Sequence, residues 1–92
     1  MIRSFRHAGL EAFFRTGNKA GIQPHHAARL RLLLAALDNA RSPSDMAAPG
    51  WRLHALTGDL AGRWSVRVDG NWRLMFRFVG TDAEAVDYVD YH

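Results

Sequence analysis

Residues able to transfer protons or bind an anion lie on three predicted strands in the second half of this 92-residue chain. His54 and Arg73 fall on the polar sides of two strands, and Tyr91 and His92 end a third. Imidazole transfers protons near neutral pH and a guanidinium group stabilises negative charge, so the set suits acid–base chemistry on an anionic substrate. Singly, each is more often a solvated surface residue; a site requires that they meet on one side of a sheet.

Other catalytic chemistries have little support. The chain has no cysteine, which excludes thiol nucleophiles, disulfides and thiolate-bound zinc. His25 and His26 are adjacent rather than at i, i+4 and make a poor chelating pair, while Asp87 and Asp90 on one strand point to opposite faces. Ser65 has no adjacent base, and no glycine-rich phosphate loop occurs. We therefore expect a protein that uses neither a metal nor another cofactor.

Charge is distributed unevenly along the chain. Residues 1–77 hold twelve basic and five acidic side chains, a net charge of +7, whereas residues 78–92 hold four acids and no Lys or Arg. All but one of the cations are arginines, which pair with phosphate in two-point geometry and stack on bases. A GC-rich genome also favours arginine, but the bias is compatible with a nucleic-acid or other anionic partner.

Two helices are predicted before any well-defined strand. Leu10, Phe13 and Phe14 follow helical spacing, and Gly17 ends this first helix. A second helix begins at Pro24. Its apolar stripe consists of Leu30, Leu33, Leu34 and Leu37. The longest apolar run, residues 32–37, is far shorter than the roughly 20 residues that a membrane span needs.

The rest of the chain is predicted to form a sheet. Residues 51–56, 63–68 and 72–78 alternate apolar and polar side chains, as half-buried strands do. Residues 83–92 form a less regular last strand, and residues 1–5 can add only an edge strand. The candidate chemistry is thus distributed over the strands and not over the helices.

The turn between the second and third of these strands fixes their register. A two-residue loop would put their apolar side chains on opposite faces, so we predict a three-residue loop, residues 69–71, with a bulge. This register pairs Val68 with Trp72 and Val66 with Leu74.

The same register gathers four guanidinium groups on one face of the hairpin. It places Arg67 beside Arg73 and Arg63 beside Arg77, where like charges are destabilising. An anion is therefore expected nearby, either the acids of the last strand together with solvent or a phosphate backbone. Together with Arg52 on the polar side of the preceding strand, these residues form a candidate nucleic-acid surface.

Three segments closely resemble one protein family. They are "GIQPHHAARLRLLLAAL", "PGWRLHALTGDLAGRWSVRVDGNWRLMFRF" and the terminal "DYVDYH". In this order they resemble the HigB-type killer toxins of bacterial type II toxin–antitoxin systems, part of the RelE/ParE superfamily. The resemblance covers essentially the whole chain. It implies an α+β, RelE-like fold over residues 1–92, with two N-terminal helices packed on a small, mainly antiparallel, twisted sheet.

The resemblance also implies a function in the cytoplasm. Such toxins are metal-independent endonucleases that cut messenger RNA in the decoding site of the ribosome, by attack of a 2′-hydroxyl, and so inhibit translation. A helix-turn-helix antitoxin of the HigA type silences them, and they contact operator DNA only through the antitoxin complex; no membrane is involved. The alternatives are a non-catalytic inhibitor, which blocks the ribosome or acts on gyrase as ParE toxins do, and a purely regulatory partner.

The residues that match the family's site are His54, Arg73, Asp90, Tyr91 and His92. The resemblance assigns Arg73 to the scissile phosphate and His54 and His92 to proton transfer, with either histidine as the base. Tyr91 would stack on or orient a base, and Asp90 would orient an imidazole. Strict strand alternation would point Tyr91 and His92 to opposite faces, so the chain end must twist.

One position departs from the family pattern. Thr57 stands where members often have a lysine that could neutralise the phosphate. Either Arg63 or Arg67 compensates for the missing charge, or the activity is weaker. The residues implied to bind RNA are Arg52, Arg63, Arg67 and Arg77.

Overall fold

Two helices precede a four-stranded antiparallel sheet in the computed structural model, which describes residues 1–91. The strands follow the order β1-β2-β3-β4. The elements are α1 (Ala8–Thr16), α2 (Ala27–Asn39), β1 (His54–Ala55), β2 (Trp64–Asp69), β3 (Trp72–Val79) and β4 (Asp82–Asp90). Single 3₁₀ turns occur at Pro24–His26, Pro43–Met46 and Gly58–Leu60. The α+β class and the helices-first order are confirmed.

The first helix ends as predicted, whereas Pro24 opens a 3₁₀ turn and α2 itself begins three residues later, at Ala27. α1 ends at Gly17, whose φ of 79° suits glycine and whose N–H donates to the Phe13 carbonyl. At its start, the Nδ1 atom of His7 accepts a hydrogen bond from the Leu10 N–H, a cap that the sequence did not suggest. All four leucines of the α2 stripe are buried. Within residues 1–91, no helix is long and apolar enough to cross a bilayer.

The hydrophobic core lies between the helices and one face of the sheet. The α2 leucines meet Val66 of β2, Leu74 and Phe76 of β3, and Val86 of β4, all of which are fully buried. Because side chains alternate along a strand, Arg73 and Met75 of β3 must lie on the opposite face. The sheet therefore separates the core from a second surface, on which the polar side chains converge.

Part of the predicted hairpin register is confirmed. Val66 pairs with Leu74, and Arg67 pairs with Arg73. The two apolar sets therefore share the core face, which was the physical requirement behind the prediction.

The end of this hairpin differs from the prediction. Trp72 pairs with Asp69 and not with Val68, since the register shifts between Arg67 and Asp69. The extra residue is thus accommodated by a bulge inside β2 and not in the loop, which leaves only Gly70 and Asn71 between the strands. Asp69 consequently remains at the end of the ladder.

The first predicted strand is much shorter than expected. Of residues 51–56, only His54–Ala55 pairs with β2. Arg52 has a φ of 54°, which interrupts an extended chain, and the Trp51 carbonyl instead accepts a hydrogen bond from the Arg67 N–H at 2.8 Å. The alternation in the sequence was thus a correct guide to His54 but not to the length of the strand.

A bulge also interrupts β4. The register against β3 shifts by one residue opposite Phe76, and Ala85 in that bulge has a φ of 54°. The shift changes which residues face the core, so Ala83, Val86 and Tyr88 are all buried. This explains the irregular apolar pattern of the last strand.

The N-terminal segment adds the predicted edge to the sheet. Ile2 and Phe5 form isolated parallel bridges with Ala83 and Val86 of β4. Arg3 Nε also donates to Asp82 Oδ2 at 2.9 Å, and this hydrogen bond holds the pKa of the Asp82 carboxyl below its usual range. The segment is thereby tied to the outer strand by backbone pairing and charge.

Two glycines allow α1 to approach the loop before α2. A Cβ atom added to Gly9 would lie 2.7 Å from the Cα atom of Gly21, and one added to Gly21 would also clash with the Gly9 backbone. We expect Gly9→Ala to lower the free energy of unfolding by about 1–3 kcal/mol through overpacking. At a helix position without such a close approach, Gly→Ala stabilises the protein by up to about 1 kcal/mol. The sign of the change in the free energy of unfolding therefore shows whether the two backbones are in contact. Urea unfolding followed by circular dichroism measures it, and an unchanged or higher midpoint contradicts the close packing.

Candidate active site

A cavity of about 460 Å³ opens on the face of the sheet turned away from the helices. It is lined by Arg52, Leu53, His54, Leu56, Ser65, Arg73, Met75 and Tyr91. Three separate parts of the sheet contribute the polar groups: β1 carries His54, β3 carries Arg73, and Tyr91 follows β4. The predicted meeting of these three side chains on one side of the sheet is thus present.

The position of His54 follows from the short β1 strand. His54 pairs with Ser65 of β2, and Ser65 in turn pairs with Met75 of β3. These three residues form one row across the sheet, and all three line the cavity. His54 is exposed and Ser65 is buried, so the imidazole lies at the accessible edge of the site.

Arg73 is held by the hairpin loop. Its Nη1 atom donates to the Gly70 carbonyl at 2.7 Å and to the Trp72 carbonyl at 3.1 Å. Both bonds use one nitrogen of the guanidinium group, and Nε and Nη2 carry three further N–H donors. Fixing one end of the group lowers the entropy lost when the other end binds an anion.

The same loop also positions Tyr91. The Tyr91 N–H donates to the Asn71 carbonyl at 2.8 Å, and its side chain is 52% exposed. Past the bulge at Ala85, Tyr88 faces the core, and alternation turns Tyr91 to the cavity face. Both Arg73 and Tyr91 therefore depend on the carbonyls of one two-residue loop.

Asp90 is the predicted catalytic residue that the structure places away from the cavity. Asp90 pairs with Trp72 in the ladder, so alternation turns it to the face opposite Tyr91, and it does not line the cavity. His92 lies outside the described residues. Their assigned roles in orienting an imidazole and in proton transfer stay predictions.

Of the four arginines predicted to bind RNA, only Arg52 lines the cavity. Arg77 on β3 forms an ion pair with Glu84 of β4 at 3.5 Å. For this arginine, an acid of the last strand therefore supplies the anion expected from the sequence. The β2–β3 ladder ends at the pair Trp64–Phe76, one position before Arg63 and Arg77, so the predicted neighbourhood of these two arginines stays a prediction.

Neither Arg63 nor Arg67 takes the place of the missing lysine within the cavity lining. Arg67 lies directly across from Arg73, half-buried, and its backbone carbonyl accepts a hydrogen bond from Arg29 Nη2 at 3.3 Å. Thr57 is exposed and precedes the 3₁₀ turn Gly58–Leu60. Arg52 is thus the second cation of the cavity.

Sequence reasoning missed four further residues of the site, three of them apolar. Leu53, Leu56, Ser65 and Met75 also line the cavity. The available signal was that Leu56 and Met75 occupy positions on the polar sides of their predicted strands. Met75 and Ser65 are buried on that face, so the cavity floor combines an apolar side chain with one hydroxyl group, whereas His54 and Tyr91 at its edge are exposed.

Comparisons with known proteins agree with this architecture. Residues 3–92 match a family model described as a HigB-like toxin, the RelE-like toxin of the type II toxin–antitoxin system HigB. The chain is 38% identical to an "Endoribonuclease HigB" from Proteus vulgaris over 92 residues, the full length of both proteins. A solved YoeB/ParE toxin from Agrobacterium tumefaciens has a TM-score of 0.59 and 19% identity over 100% of this chain and 99% of the other. This last likeness confirms the RelE-like fold alone.

Proposed function

This chain belongs to the HigB-like family of RelE-like toxins from type II toxin–antitoxin systems, and we propose that it is an endoribonuclease that cuts messenger RNA on the ribosome and thereby inhibits translation. The observation that carries the proposal is the meeting of His54, Arg73 and Tyr91 around one open cavity. The endoribonuclease from Proteus vulgaris, identical at 38% of positions over its full length, supports the same activity.

The residue types suit RNA cleavage by internal attack. A base removes the proton from a ribose 2′-hydroxyl, and the 2′-oxygen attacks the adjacent phosphorus. The bond to the 5′-oxygen breaks, and an acid protonates that oxygen, which leaves a 2′,3′-cyclic phosphate and a 5′-hydroxyl. Histidine can act in both steps, so His54 and His92 are assigned to proton transfer.

Arg73 is assigned to the scissile phosphate. The pentacoordinate phosphorus carries more negative charge than the ground state, so a cation fixed beside it lowers the barrier. The hydrogen bonds from Nη1 to Gly70 and Trp72 fix the guanidinium group before RNA binds. The remaining donors on Nε and Nη2 then form the fork that pairs with two phosphate oxygens.

The rest of the cavity suits a nucleotide. Its volume of about 460 Å³ lies within the usual range for small-ligand sites. Tyr91 offers an exposed ring for base stacking, and Leu53, Leu56 and Met75 provide apolar contact surface. Arg52 reaches the same cavity, and we assign Arg63, Arg67 and Arg77 to contacts with the RNA backbone outside it.

A toxin of a type II system has an antitoxin as its partner. We assign this chain a helix-turn-helix antitoxin of the HigA type and contact with operator DNA only through that complex. Its proposed place of action is the ribosomal decoding site in the cytoplasm. The basic residues 1–77, with a net charge of +7, are compatible with entry into a site surrounded by ribosomal and messenger RNA.

Removal of His92 tests the proton-transfer assignment. We expect the deletion variant to cut about 100-fold to 10,000-fold more slowly than the parent, as is typical when a general acid or base is lost. Purified protein is incubated with programmed ribosomes, and the 5′ ends of the message are mapped over time. Circular dichroism and the thermal midpoint serve as the folding control.

His54→Ala is measured in the same assay. Loss of cutting in both variants, with folding unchanged, supports a pair of proton-transferring histidines. Cleavage at the parent's rate by the deletion variant would overturn the role of His92, and intact message at saturating parent protein would overturn the proposed activity itself.

A further inference from the structure

A second cluster of polar side chains lies apart from the cavity, where the turn before α2 meets the end of β2. His25 and His26 belong to the 3₁₀ turn Pro24–His26, and Asp69 is the last residue of β2. Each offers one ligand atom, and these atoms all lie within 4.8 Å of one another. We propose that His25, His26 and Asp69 form a binding site for a divalent transition-metal ion, Zn²⁺ in the first instance.

The burial of His26 is the observation that points to a ligand. Its side chain is 1% exposed, and its Nε2 atom is buried without a hydrogen-bond partner among the described residues. Leaving such a group unsatisfied costs about 1–3 kcal/mol. Asp69 Oδ2 lies 3.4 Å away but does not complete a hydrogen bond. A cation between the two atoms would satisfy both.

The surroundings of His26 suit a metal ligand. Its Nδ1 atom lies 2.6 Å from the Tyr88 hydroxyl, which also accepts a hydrogen bond from the Gln23 N–H. The Tyr88 hydroxyl can accept a hydrogen bond from a proton on Nδ1, and in that tautomer the Nε2 lone pair of His26 is available to a cation beside Asp69. Metal-binding histidines commonly bond their second nitrogen in this way.

The distance between His26 and Asp69 fits tetrahedral coordination, and His25 must move to complete it. Zinc–nitrogen and zinc–oxygen bonds of about 2.0–2.2 Å place neighbouring ligand atoms about 3.3–3.6 Å apart. The separation of His26 Nε2 from Asp69 Oδ2 is 3.4 Å, and that of His25 Nε2 from the same oxygen is 3.9 Å. The His25 side chain is 67% exposed and can rotate by the small amount required. Solvent can supply a fourth ligand.

The ion would join two parts of the fold that are distant in sequence. Asp69 is followed directly by Gly70, whose carbonyl holds Arg73, and the His26 ring contacts Trp72 edge-on at 5.6 Å. Binding would therefore fix the hairpin end against the turn before α2. None of the three ligands lines the cavity, so the metal site does not depend on the proposed ribonuclease activity.

Calorimetric titration of the chelator-treated, tag-free full chain with Zn²⁺ tests the site. We expect one ion per chain, with a Kd on the order of 1–10 µM. At a hundredfold excess over Kd the thermal midpoint should rise by about 10 °C or more, because the ion binds the folded state. If no saturable binding is detected up to about 1 mM Zn²⁺, the affinity is negligible and the proposal is overturned.

Two exposed ligands provide variants that should fold. His25→Ala and Asp69→Asn are each expected to weaken Zn²⁺ binding at least about tenfold, since each removes one of three ligands. Asp59→Asn makes the same charge change at an exposed position outside the cluster, and it should bind like the parent. Equal affinity in the parent, His25→Ala and Asp69→Asn would instead place the ion elsewhere. Cleavage of messenger RNA is assayed separately, so a failure of Zn²⁺ binding and a failure of the proposed ribonuclease activity can be told apart.

Discussion

Replacing Arg73 by alanine is expected to reduce cleavage of ribosome-bound messenger RNA by at least about 100-fold, which is the usual effect of removing a preorganised donor that stabilises a developing negative charge. The side chain lines the cavity with His54 and Tyr91, and its Nη1 atom is already held by the Gly70 and Trp72 carbonyls. Little reorganisation is therefore needed when the phosphate binds. The rate is measured with programmed ribosomes under single-turnover conditions.

Two further arginine variants make the result specific. Arg73→Lys keeps the charge but loses the two-point fork and the bonds from Nη1, so we expect it to recover only part of the rate. Arg15→Ala also removes one positive charge, but Arg15 pairs with Glu11 on α1, away from the cavity. Its rate should stay within about threefold of the parent's, since exposed ion pairs contribute little.

The Arg73 variant also separates cutting from blocking. If the toxin acts by cleavage, Arg73→Ala should lose growth inhibition together with cleavage. A variant that remains fully toxic while the message stays intact would favour the non-catalytic inhibitor, the alternative that Thr57 in place of the family's lysine raises. A cleavage rate equal to that of the parent would show that Arg73 does not contact the scissile phosphate.

The helices and the central hairpin could be predicted because their signals are periodic. The leucines of α2 and the alternation along β2 and β3 each repeat several times, so one irregular residue does not hide the pattern. The shared core face of Val66 and Leu74 followed from the same logic.

The irregular parts of the sheet could not be predicted because they depend on the backbone conformation of single residues. Arg52 and Ala85 both have a φ of 54°, in a region that non-glycine residues rarely adopt. Neither residue type predicts this backbone conformation, yet Arg52 shortens β1 and Ala85 lies in the bulge of β4. The bulge in β2 likewise keeps Asp69 in the ladder, where a loop was expected.

The two candidate sites were predictable to different degrees. His54 and Arg73 could be grouped from the sequence because each lies on a strand whose apolar side was evident, whereas Tyr91 was placed only by its position at the end of the irregular last strand. The approach of Asp69 to His25 and His26 depends on how the hairpin end packs against the turn before α2, which no local pattern encodes. Adjacent histidines alone indicated a poor chelating pair, and only the third ligand changes that interpretation.

Phe76→Ala is expected to lower the free energy of unfolding by about 3–5 kcal/mol, the typical cost of truncating a fully buried aromatic residue. Phe76 is fully buried and belongs to the core cluster that also contains the α2 leucines. It lies opposite the bulge in β4. Domains of this size have only about 5–15 kcal/mol in total. The thermal midpoint should therefore fall by about 15–30 °C, as measured by calorimetry or circular dichroism.

Phe78→Ala is the matched control for this prediction. Phe78 lies two residues further along the same strand, contacts Phe76 edge-on at 6.0 Å, and is only partly buried. Its loss should cost no more than about half as much, because less apolar surface returns to water. Equal losses in the two variants would show that the core does not centre on Phe76. Because Phe76 faces the core and Arg73 the cavity, Phe76→Ala should still cut messenger RNA at temperatures where it remains folded, whereas Arg73→Ala should not.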